Sequence, residues 1–394
     1  MTVTDIFDLQ ALARRRLASA VYCYIENGGY EEETLRRNRR DLGRLAFVPR
    51  VLNDVSSRNT ETVIGADKLK MPVILAPVGA CGLAYPNGEM EAAKAAKAFG
   101  VPFCLSTLSI CTIEDVAEAV QAPFWFQLYM MNDKQVTDVL VRRAKEAGCS
   151  TLVLSMDLHV RSQRHSEEKH GLKAPPKIGL GTIWDGLTHP DWTFPMVFSR
   201  RRTFGNLIGL VPDAKNVFRI TEWLERQFDA TLSLEDVDWA RSVWPGKLFV
   251  KGVIHPGEAK SCIEHGADGV IVSNHGGRQV DGAVSTIAAL PRVVDAVNGK
   301  GIVLADSGIR SGMDVLKMIA RGADGCLIGR AYMYGLAAMG GRGVYRALDI
   351  IYNELDQTMG LCGCVDIRDL PDDLLVDEET LVASARPRSR ASLR

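Results

Sequence analysis

The 394-residue sequence predicts an α/β fold, a (β/α)8 or TIM barrel, from three observations. Short apolar runs alternate with amphipathic helical stretches, which is typical of βα units around a parallel sheet. Eight such runs are present, and all but one of the intervals between them are roughly 20 to 35 residues long. No Gly-x-Gly-x-x-Gly motif follows the first run, which disfavours a doubly wound dinucleotide-binding sheet.

The predicted strands are the short apolar runs themselves. They span residues 73–78, 102–107, 124–130, 151–157, 248–252, 269–275, 302–308 and 325–330. Helical stretches lie between them, among them 89–99, 112–120, 133–147 and 312–320, and several begin with a capping or acidic residue. Residues 343–359 predict a closing helix after the last strand.

We expect a single barrel domain over residues 1–382. An N-terminal helical segment, 1–65, precedes the first strand, and its residues 5–28 are predicted to be helical up to the Gly28-Gly29 pair. The exceptional interval is a long insertion after strand four, at about 158–245, and connections of this length are usually lids or binding elements. Residues 383–394, rich in Ser, Ala and Arg, predict a flexible basic tail.

Composition and charge narrow the class of protein. The net charge of -1 gives no electrostatic footprint for nucleic acid, so we expect no nucleic-acid partner. The first ten residues lack the pattern of a secretory signal, and Pro72, Pro77 and Pro86 interrupt the longest uncharged run, so we expect a cytoplasmic chain without a transmembrane segment. The nine cysteines contain no Cys-x-x-Cys pair, and we expect neither disulfides nor a metal site.

Polar side chains cluster at the predicted carboxyl ends of the strands, where the active sites of such barrels lie. Around strands seven and eight, small residues would let backbone N–H groups approach an anion that Arg310 and Arg330 neutralise. The alternative is that these are only tight turns with a solvated rim. His275, three residues before Arg278, suits a proton-abstracting base beside a carboxylate anchor. Asp157 is available to stabilise the resulting imidazolium, and Lys251 to offset negative charge on a cofactor.

The run Ser-Asn-His-Gly-Gly-Arg-Gln at residues 273–279 resembles the active-site signature of the FMN-dependent α-hydroxy-acid dehydrogenases and oxidases. Motifs that flank it agree, and they lie at residues 22–24, 76–79, 105–107, 126–129, 250–252, 306–310 and 328–330. Within that family the chain is most similar to the bacterial respiratory L-lactate dehydrogenases, through residues 147–153, 188–190 and 305–308.

The resemblance implies FMN as cofactor and the oxidation of an L-2-hydroxy acid, L-lactate first, to the 2-oxo acid, with hydride transfer to flavin N5. It implies that His275 is the catalytic base, with Asp157 as its charge partner and Tyr129 beside it. Tyr24, Tyr129, Arg164 and Arg278 would bind the substrate. The residues implied to hold FMN are Val78, Gly79, Ser106, Gln127, Ser155, Lys251, Ser273, Asp306, Ser307, Gly308, Arg310, Gly329 and Arg330.

The resemblance also implies partners. Electrons would pass to a quinone or another acceptor, because the position of Gly79 is Ala in many oxidases of the family and Gly in several dehydrogenases. Relatives are commonly tetramers, so we expect a homo-oligomer. The aromatic and basic residues of 184–202 are candidates for peripheral contact with the inner face of the cytoplasmic membrane. The alternative is that the insertion packs on its own barrel or on a neighbouring subunit.

Two alternative functions stay open. One is an oxidase that uses O2 on a larger, mandelate- or glycolate-like acid, since the run Arg164-His165-Ser166-Glu167 departs from the pattern of the lactate dehydrogenases. The other is a barrel isomerase or synthase that acts on a phosphorylated substrate.

Overall fold

The computed structural model describes residues 2–171, 179–211 and 213–378, so the predicted tail at 383–394 lies outside the described residues. The strands of the described chain are β1 (Leu45–Phe47), β2 (Thr62–Ile64), β3 (Asp67–Leu69), β4 (Val73–Leu75), β5 (Cys104–Ser106), β6 (Trp125–Tyr129), β7 (Thr151–Ser155), β8 (Lys247–Val253), β9 (Gly269–Val272), β10 (Ile302–Ala305), β11 (Gly325–Ile328) and β12 (Leu375–Asp377). The centre of the fold is a sheet of eight parallel strands in the order β4-β11-β10-β9-β8-β7-β6-β5.

The two ends of this sheet meet. The backbone N–H of Leu75 donates to the carbonyl of Pro102 at 2.9 Å, and a parallel bridge joins Leu75 to Phe103. The sheet is therefore a barrel, and the predicted TIM-barrel fold is confirmed.

Helices surround the barrel and fill the insertion. In chain order they are α1 (Ile6–Arg16), α2 (Ser19–Glu26), α3 (Glu33–Arg44), α4 (Gly88–Phe99), α5 (Ile113–Val120), α6 (Lys134–Glu146), α7 (His165–Lys169), α8 (Leu180–Thr188), α9 (Pro190–Val197), α10 (Val217–Glu225), α11 (Leu234–Val243), α12 (Pro256–Glu264), α13 (Thr286–Val297), α14 (Gly312–Ala320), α15 (Arg330–Met339) and α16 (Gly341–Cys362). The capping signals act where they were predicted: Thr112 and Asp115 form a capping box at α5, and Asp133 caps α6.

Two predictions about element boundaries were wrong. Several strands end up to three residues earlier than predicted, because the residues that follow leave the sheet to form loops. His275 and Ser307, for example, have φ of 57° and 75°, a left-handed conformation that no strand continues through. Residues 5–28 form two helices rather than one, because the backbone is extended at Leu17.

The barrel interior shows why the functional site lies at one end only. One residue of each barrel strand points inward and joins an apolar layer: Ile74, Cys104, Trp125, Val153, Phe249, Ile271, Leu304 and Leu327. The hairpin of β2 and β3, unpredicted from the sequence, packs Ile64 and Leu69 into the same layer. A Cβ on Gly325 would lie 2.4 Å from Ile64, so the two elements are in close contact. This layer fills the interior and leaves the carboxyl ends of the strands for chemistry.

No helix within the described ranges is both long enough and apolar enough to cross a membrane.

Candidate active site

The side-chain alternation of the strands builds the floor of the site. Successive side chains of a strand point to opposite faces, so the residue two positions after each interior apolar residue points inward again, one layer nearer the carboxyl end. At those positions the chain carries mostly polar or small residues, which are Ala76, Ser106, Gln127, Ser155, Lys251, Ser273, Asp306 and Gly329. The apolar layer below excludes water from their lower side, and Ser106, Gln127, Ser155, Lys251 and Ser273 are all buried.

A cavity of about 450 Å³ opens above this floor. Most of the residues predicted to bind substrate or cofactor line it: Tyr24, Val78, Gly79, Ser106, Tyr129, Arg164, Lys251, His275, Arg278, Asp306, Ser307, Gly308, Arg310, Gly329 and Arg330. Four other predicted residues are absent from the lining, and they are Gln127, Asp157, Ser155 and Ser273. Three of these four contact lining residues directly, Gln127 with Ser106, Asp157 with His275, and Ser273 with Lys251.

His275 and Asp157 form a hydrogen-bonded pair at the cavity wall. His275 Nδ1 lies 3.0 Å from Asp157 Oδ2, and His275 Nε2 lies 3.4 Å from the Tyr129 hydroxyl. Because a carboxylate can only accept, Nδ1 carries the proton in this pair and Nε2 is left with a lone pair toward the cavity. The imidazole is thus arranged as a base, with an anion behind it.

The loop that carries His275 is held by several backbone contacts. The backbone N–H of His275 donates to Ser273 Oγ at 3.1 Å, and that of Gly276 donates to Ser307 Oγ at 3.0 Å. Gly28 and Gly29, predicted as a helix end and as one of the motifs that carry the resemblance, pack against this same loop. A Cβ on Gly28 would lie 2.7 Å from the Gly277 carbonyl, so this position tolerates only glycine.

The charges at the site favour a neutral base beside an ionised acid. Burial lowers the pKa of His275 below its ordinary value, although the Asp157 carboxylate opposes this shift. Burial acts to raise the pKa of Asp157, but His275 and Lys251 together hold that pKa below its ordinary value. At neutral pH the pair is therefore an imidazole and a carboxylate. Burial raises the pKa of the Tyr129 hydroxyl, which keeps its proton and can donate it in a hydrogen bond.

Lys251 is a buried cation held by the barrel floor. Its Nζ lies 3.0 Å from Asp306 Oδ2 and donates to Ser273 Oγ at 2.7 Å. Burial opposes the charge, yet the Asp306 and Asp157 carboxylates hold the pKa of Lys251 above its ordinary value. The ammonium therefore stays charged and faces the cavity.

The floor has a donor that no protein group uses. Ser106 Oγ donates to Gln127 Oε1 at 3.1 Å, but Gln127 Nε2 is buried without a hydrogen-bond partner within the described chain. A buried amide donor without an acceptor is costly, and it indicates that a ligand with acceptor atoms belongs here. This orphaned donor, the buried Lys251 and the cavity volume fit an FMN ring that carries carbonyl oxygens and ring nitrogens.

Two arginines and a left-handed turn in the cavity lining form a site suited to phosphate. Arg330 donates to the carbonyls of Ile25, Gly276 and Asn27 at 2.9 to 3.1 Å, which fixes its guanidinium. Burial and the nearby Arg310 lower the pKa of Arg330 to about 10, so it remains charged at neutral pH. Gly308, with φ of 91°, follows Ser307 in the same turn. Backbone N–H groups and paired guanidinium groups are the usual ligands of a phosphate in such barrels.

The predicted substrate residues line the cavity beside Arg330, since Arg278 and Arg330 both donate to the Asn27 carbonyl. The Tyr24 hydroxyl donates to the Gly79 carbonyl at 3.0 Å, and the Arg278 guanidinium stacks over the Tyr24 ring at 5.0 Å. Burial raises the pKa of Tyr24, so its hydroxyl stays protonated. Burial, together with Arg278, lowers the pKa of Arg164 to about 10, so Arg164 also remains a cation. Arg164 and Arg278 both contact Glu167.

Sequence reasoning missed several residues of this site. Glu167 was part of a departing motif, but nothing indicated that it would be buried between arginines. Much of the outer wall comes from the insertion and was also missed, namely Leu158, Arg161, Phe204, Thr221, Leu224 and Phe228. Thr221, Leu224 and Phe228 have helical spacing, but that spacing alone does not show which part of the molecule the face contacts. The one available signal for Glu167 was that it lies three residues after Arg164, because side chains at this spacing are neighbours on a helix.

The sequence and the fold are similar to those of known proteins. The pattern of the FMN-dependent dehydrogenase family matches residues 13–377. A crystal structure of the monotopic membrane protein (S)-mandelate dehydrogenase superposes with a TM-score of 0.91 at 36% identity, over 96% of this chain and 100% of that one. A soluble mutant of the membrane-associated (S)-mandelate dehydrogenase from Pseudomonas putida gives 0.81 at 35% identity, over 96% and 100%. A mandelate oxidase gives 0.81 at 33% identity, over 95% and 98%.

Proposed function

The chain belongs to the FMN-dependent dehydrogenase family, and we propose that it oxidises an L-2-hydroxy acid to the corresponding 2-oxo acid. FMN is its cofactor. The observation that carries the proposal is the position of His275, which lines the same cavity as Arg164, Arg278 and Lys251 and is held by Asp157 at Nδ1. Membership of this family favours oxidation over the isomerase or synthase alternative.

The chain's own residues would hold FMN in three groups. Ser106, Gln127, Ser155 and Lys251 would contact the ring, and Val78 and Gly79 would line its face. Ser273 would keep Lys251 in place through the 2.7 Å hydrogen bond. Asp306, Ser307, Gly308, Arg310, Gly329 and Arg330 would hold the ribityl phosphate. The chemistry that FMN supplies when bound is the acceptance of two electrons together with the α-hydrogen of the substrate.

The protein's part in the reaction is to bind the substrate and to move one proton. Arg164 and Arg278 would hold the substrate carboxylate, and the Tyr24 and Tyr129 hydroxyls would donate hydrogen bonds to the substrate. His275 Nε2 would accept the hydroxyl proton as the C–O bond becomes a carbonyl. Asp157, 3.0 Å behind Nδ1, would stabilise the imidazolium that forms.

The identity of the acid is a further proposal. L-Lactate is the first candidate, on the sequence resemblance to the respiratory L-lactate dehydrogenases. A larger, mandelate-like acid is the second, supported by the apolar walls at Leu108, Phe204 and Phe228 and by the (S)-mandelate dehydrogenases that the chain resembles. A quinone as electron acceptor and a homotetrameric assembly remain predictions of the resemblance.

An anaerobic visible spectrum of the purified protein tests the function. We expect L-lactate, or (S)-mandelate if the pocket takes the larger acid, to bleach the flavin band. Slow return of the band in air, and rapid return with a soluble quinone, would support a dehydrogenase, whereas rapid return in air would identify an oxidase. A flavin band that no L-2-hydroxy acid bleaches would refute the proposed reaction.

We also propose peripheral membrane contact through α8 and α9. Ile183, Trp184, Leu187, Phe194, Val197 and Phe198 are each more than half exposed there. Clustered exposed apolar side chains of this size mark an interaction surface. Two residues of the predicted 184–202 region do not take part: Trp192 Nε1 donates to the Leu83 carbonyl at 2.8 Å, and Arg201 pairs with Asp115 at 2.6 Å, so both bind the chain's own barrel.

Co-sedimentation with phosphatidylglycerol vesicles tests this contact. Replacing Trp184 and Phe198 by Ser should lower the bound fraction by at least about tenfold, since two large side chains no longer enter the bilayer. The control replaces Val51 and Leu361, equally exposed residues outside the insertion, by Ser and should bind as the wild type does. Full recovery of the wild type in the supernatant at low salt would contradict membrane contact.

A further inference from the structure

A buried carboxylate lies between the two arginines of the substrate wall. The Glu167 side chain is only 3% exposed, and its Oε1 lies 2.8 Å from Arg278 Nη2 and 3.4 Å from Arg164 Nη1. Its Oε2 lies 3.8 Å from Arg161 Nη2. A single carboxylate oxygen thus contacts both guanidinium groups that the proposed function assigns to the substrate.

The remaining donors of Arg278 show what this contact prevents. Arg278 Nη1 donates to the carbonyls of Tyr24 and Asn27 at 2.6 and 3.0 Å, which fixes the side chain to the backbone. Nη2 is thus the terminal amino group left to face a carboxylate, and Glu167 already holds it. Nη2 carries two N–H donors, and Glu167 accepts one of them. A substrate carboxylate on the other donor would lie against the like-charged Glu167, so substrate binding favours its release.

Arg164 carries the second, independent sign of a missing ligand. Its Nε is buried and has no hydrogen-bond partner among the described residues. Glu167 touches the other end of the same guanidinium, at the long distance of 3.4 Å. A planar guanidinium binds a carboxylate best through two parallel N–H donors. Arg164 is therefore incompletely satisfied by Glu167 and has a donor left for another acceptor.

The element that carries Glu167 is separate from the barrel strands. Glu167 lies in α7, a five-residue helix of the insertion without a side-chain N-cap. The next residue, Glu168, is exposed, so the same helix offers a carboxylate of the same length that is not buried. Release of Glu167 requires a change in α7 and leaves the strand ladders of the floor intact.

We infer that Glu167 is an internal counter-ion that occupies the place of the substrate carboxylate and is displaced when the substrate binds. The inference rests on the proposed function, because it takes Arg164 and Arg278 as the carboxylate site. Displacement exchanges one carboxylate for another on the same arginines. Substrate affinity is therefore lower than the arginine pair alone would provide, and Glu167 sets it.

Binding of unreactive carboxylates to the FMN-loaded protein tests the inference. Acetate and phenylacetate lack the α-hydroxyl and cannot be oxidised, so their Kd can be measured from the shift in the flavin spectrum. We compare the Kd of whichever of the two carboxylates binds the wild type more tightly. In Glu167→Gln this Kd should fall at least tenfold, and in Glu168→Gln it should stay within twofold of the wild-type value. With the oxidisable acid, the fall in KM of Glu167→Gln should exceed any change in kcat, a split that a folding defect would not produce.

A second variant tests the inference if Glu167→Gln does not fold. Glu167→Asp keeps the charge but shortens the side chain, so it cannot reach both arginines at once, and its Kd should lie below that of the wild type. An unchanged or higher Kd in the folded variants, or no carboxylate binding to any of the proteins, would overturn the inference. If no 2-hydroxy acid bleaches the flavin while Glu167→Gln still tightens phenylacetate binding, the proposed function fails and the role of Glu167 stands.

Discussion

The barrel floor and the α8–α9 hairpin are held in place by different forces. All five residues of β7 are buried, and the strand is hydrogen-bonded on both sides, to β6 and β8. Helix α9, in contrast, has no buried residue. The hairpin is attached by a few polar contacts, such as the backbone N–H of Ser19 to Asp185 at 2.6 Å and Arg201 to Asp115.

The difference separates two tasks. Residues of the floor lie where a shift of one side chain would disturb packed neighbours on every side, and this gives the fixed geometry that proton transfer requires. Residues of the hairpin can contact a surface without disturbing that geometry. Variants in the two regions should therefore differ in kind. Variants of the floor and of the His275–Asp157 pair above it should change rates, and hairpin variants should change attachment.

The largest expected effect comes from His275→Gln. Glutamine cannot accept the hydroxyl proton, so anaerobic flavin reduction measured by stopped flow should slow by about 10²- to 10⁴-fold. Arg164 and Arg278 are unchanged, so the Kd of phenylacetate should stay within about threefold. Near-native flavin reduction in this variant would show that His275 is not the base. It would also show that this change at the barrel site does not lower the rate.

Asp157→Asn should have a smaller effect with a distinct pH signature. Loss of the anion behind the imidazolium should lower kcat/KM by about 10- to 100-fold, as expected for a hydrogen bond to a charged group. The base must be neutral, so kcat/KM rises as pH rises through the pKa of His275. The Asp157 carboxylate raises that pKa, so its removal should move this acidic limb to lower pH.

The pH profile of kcat/KM in the two proteins checks this prediction. Asp366→Asn is the matched control, because Asp366 pairs with Arg368 and does not line the cavity. A limb that moves to higher pH in Asp157→Asn would show that Asp157 does not act through the charge of His275.

The smallest effect on chemistry should come from Arg201→Ala. Arg201 makes two hydrogen bonds to Asp115, at 2.8 and 2.6 Å, and its side chain is a third exposed. Its loss should cost about 1 kcal/mol or less in local stability and leave flavin reduction unchanged. Limited proteolysis within 179–200 should become several times faster.

Arg58→Ala removes a similar pair, with Asp356 at 2.9 and 2.6 Å, outside the insertion. It should leave cleavage within 179–200 unchanged. Equal cleavage of the two variants would show that Arg201 does not attach the α8–α9 hairpin to the barrel.

The residues of the floor could be predicted because they follow a local rule. Alternation along a strand placed Gln127 two residues after Trp125, Lys251 two after Phe249 and Asp306 two after Leu304, each pair on the inner face. The same rule could not show where each strand stops. The left-handed turn at His275, for example, depends on contacts with the loops around it.

The sequence by itself determined the barrel, the end of the barrel that carries the chemistry and the residue types present there. These follow from interactions between near neighbours in the chain, namely strand and helix periodicity and helix capping. The tertiary structure alone decided that the β2–β3 hairpin fills the barrel base, that Trp192 and Arg201 turn inward, and that Glu167 lies between two arginines. Each of these depends on contacts between residues distant in sequence. Local sequence patterns do not predict the energies of burial and pairing of such residues.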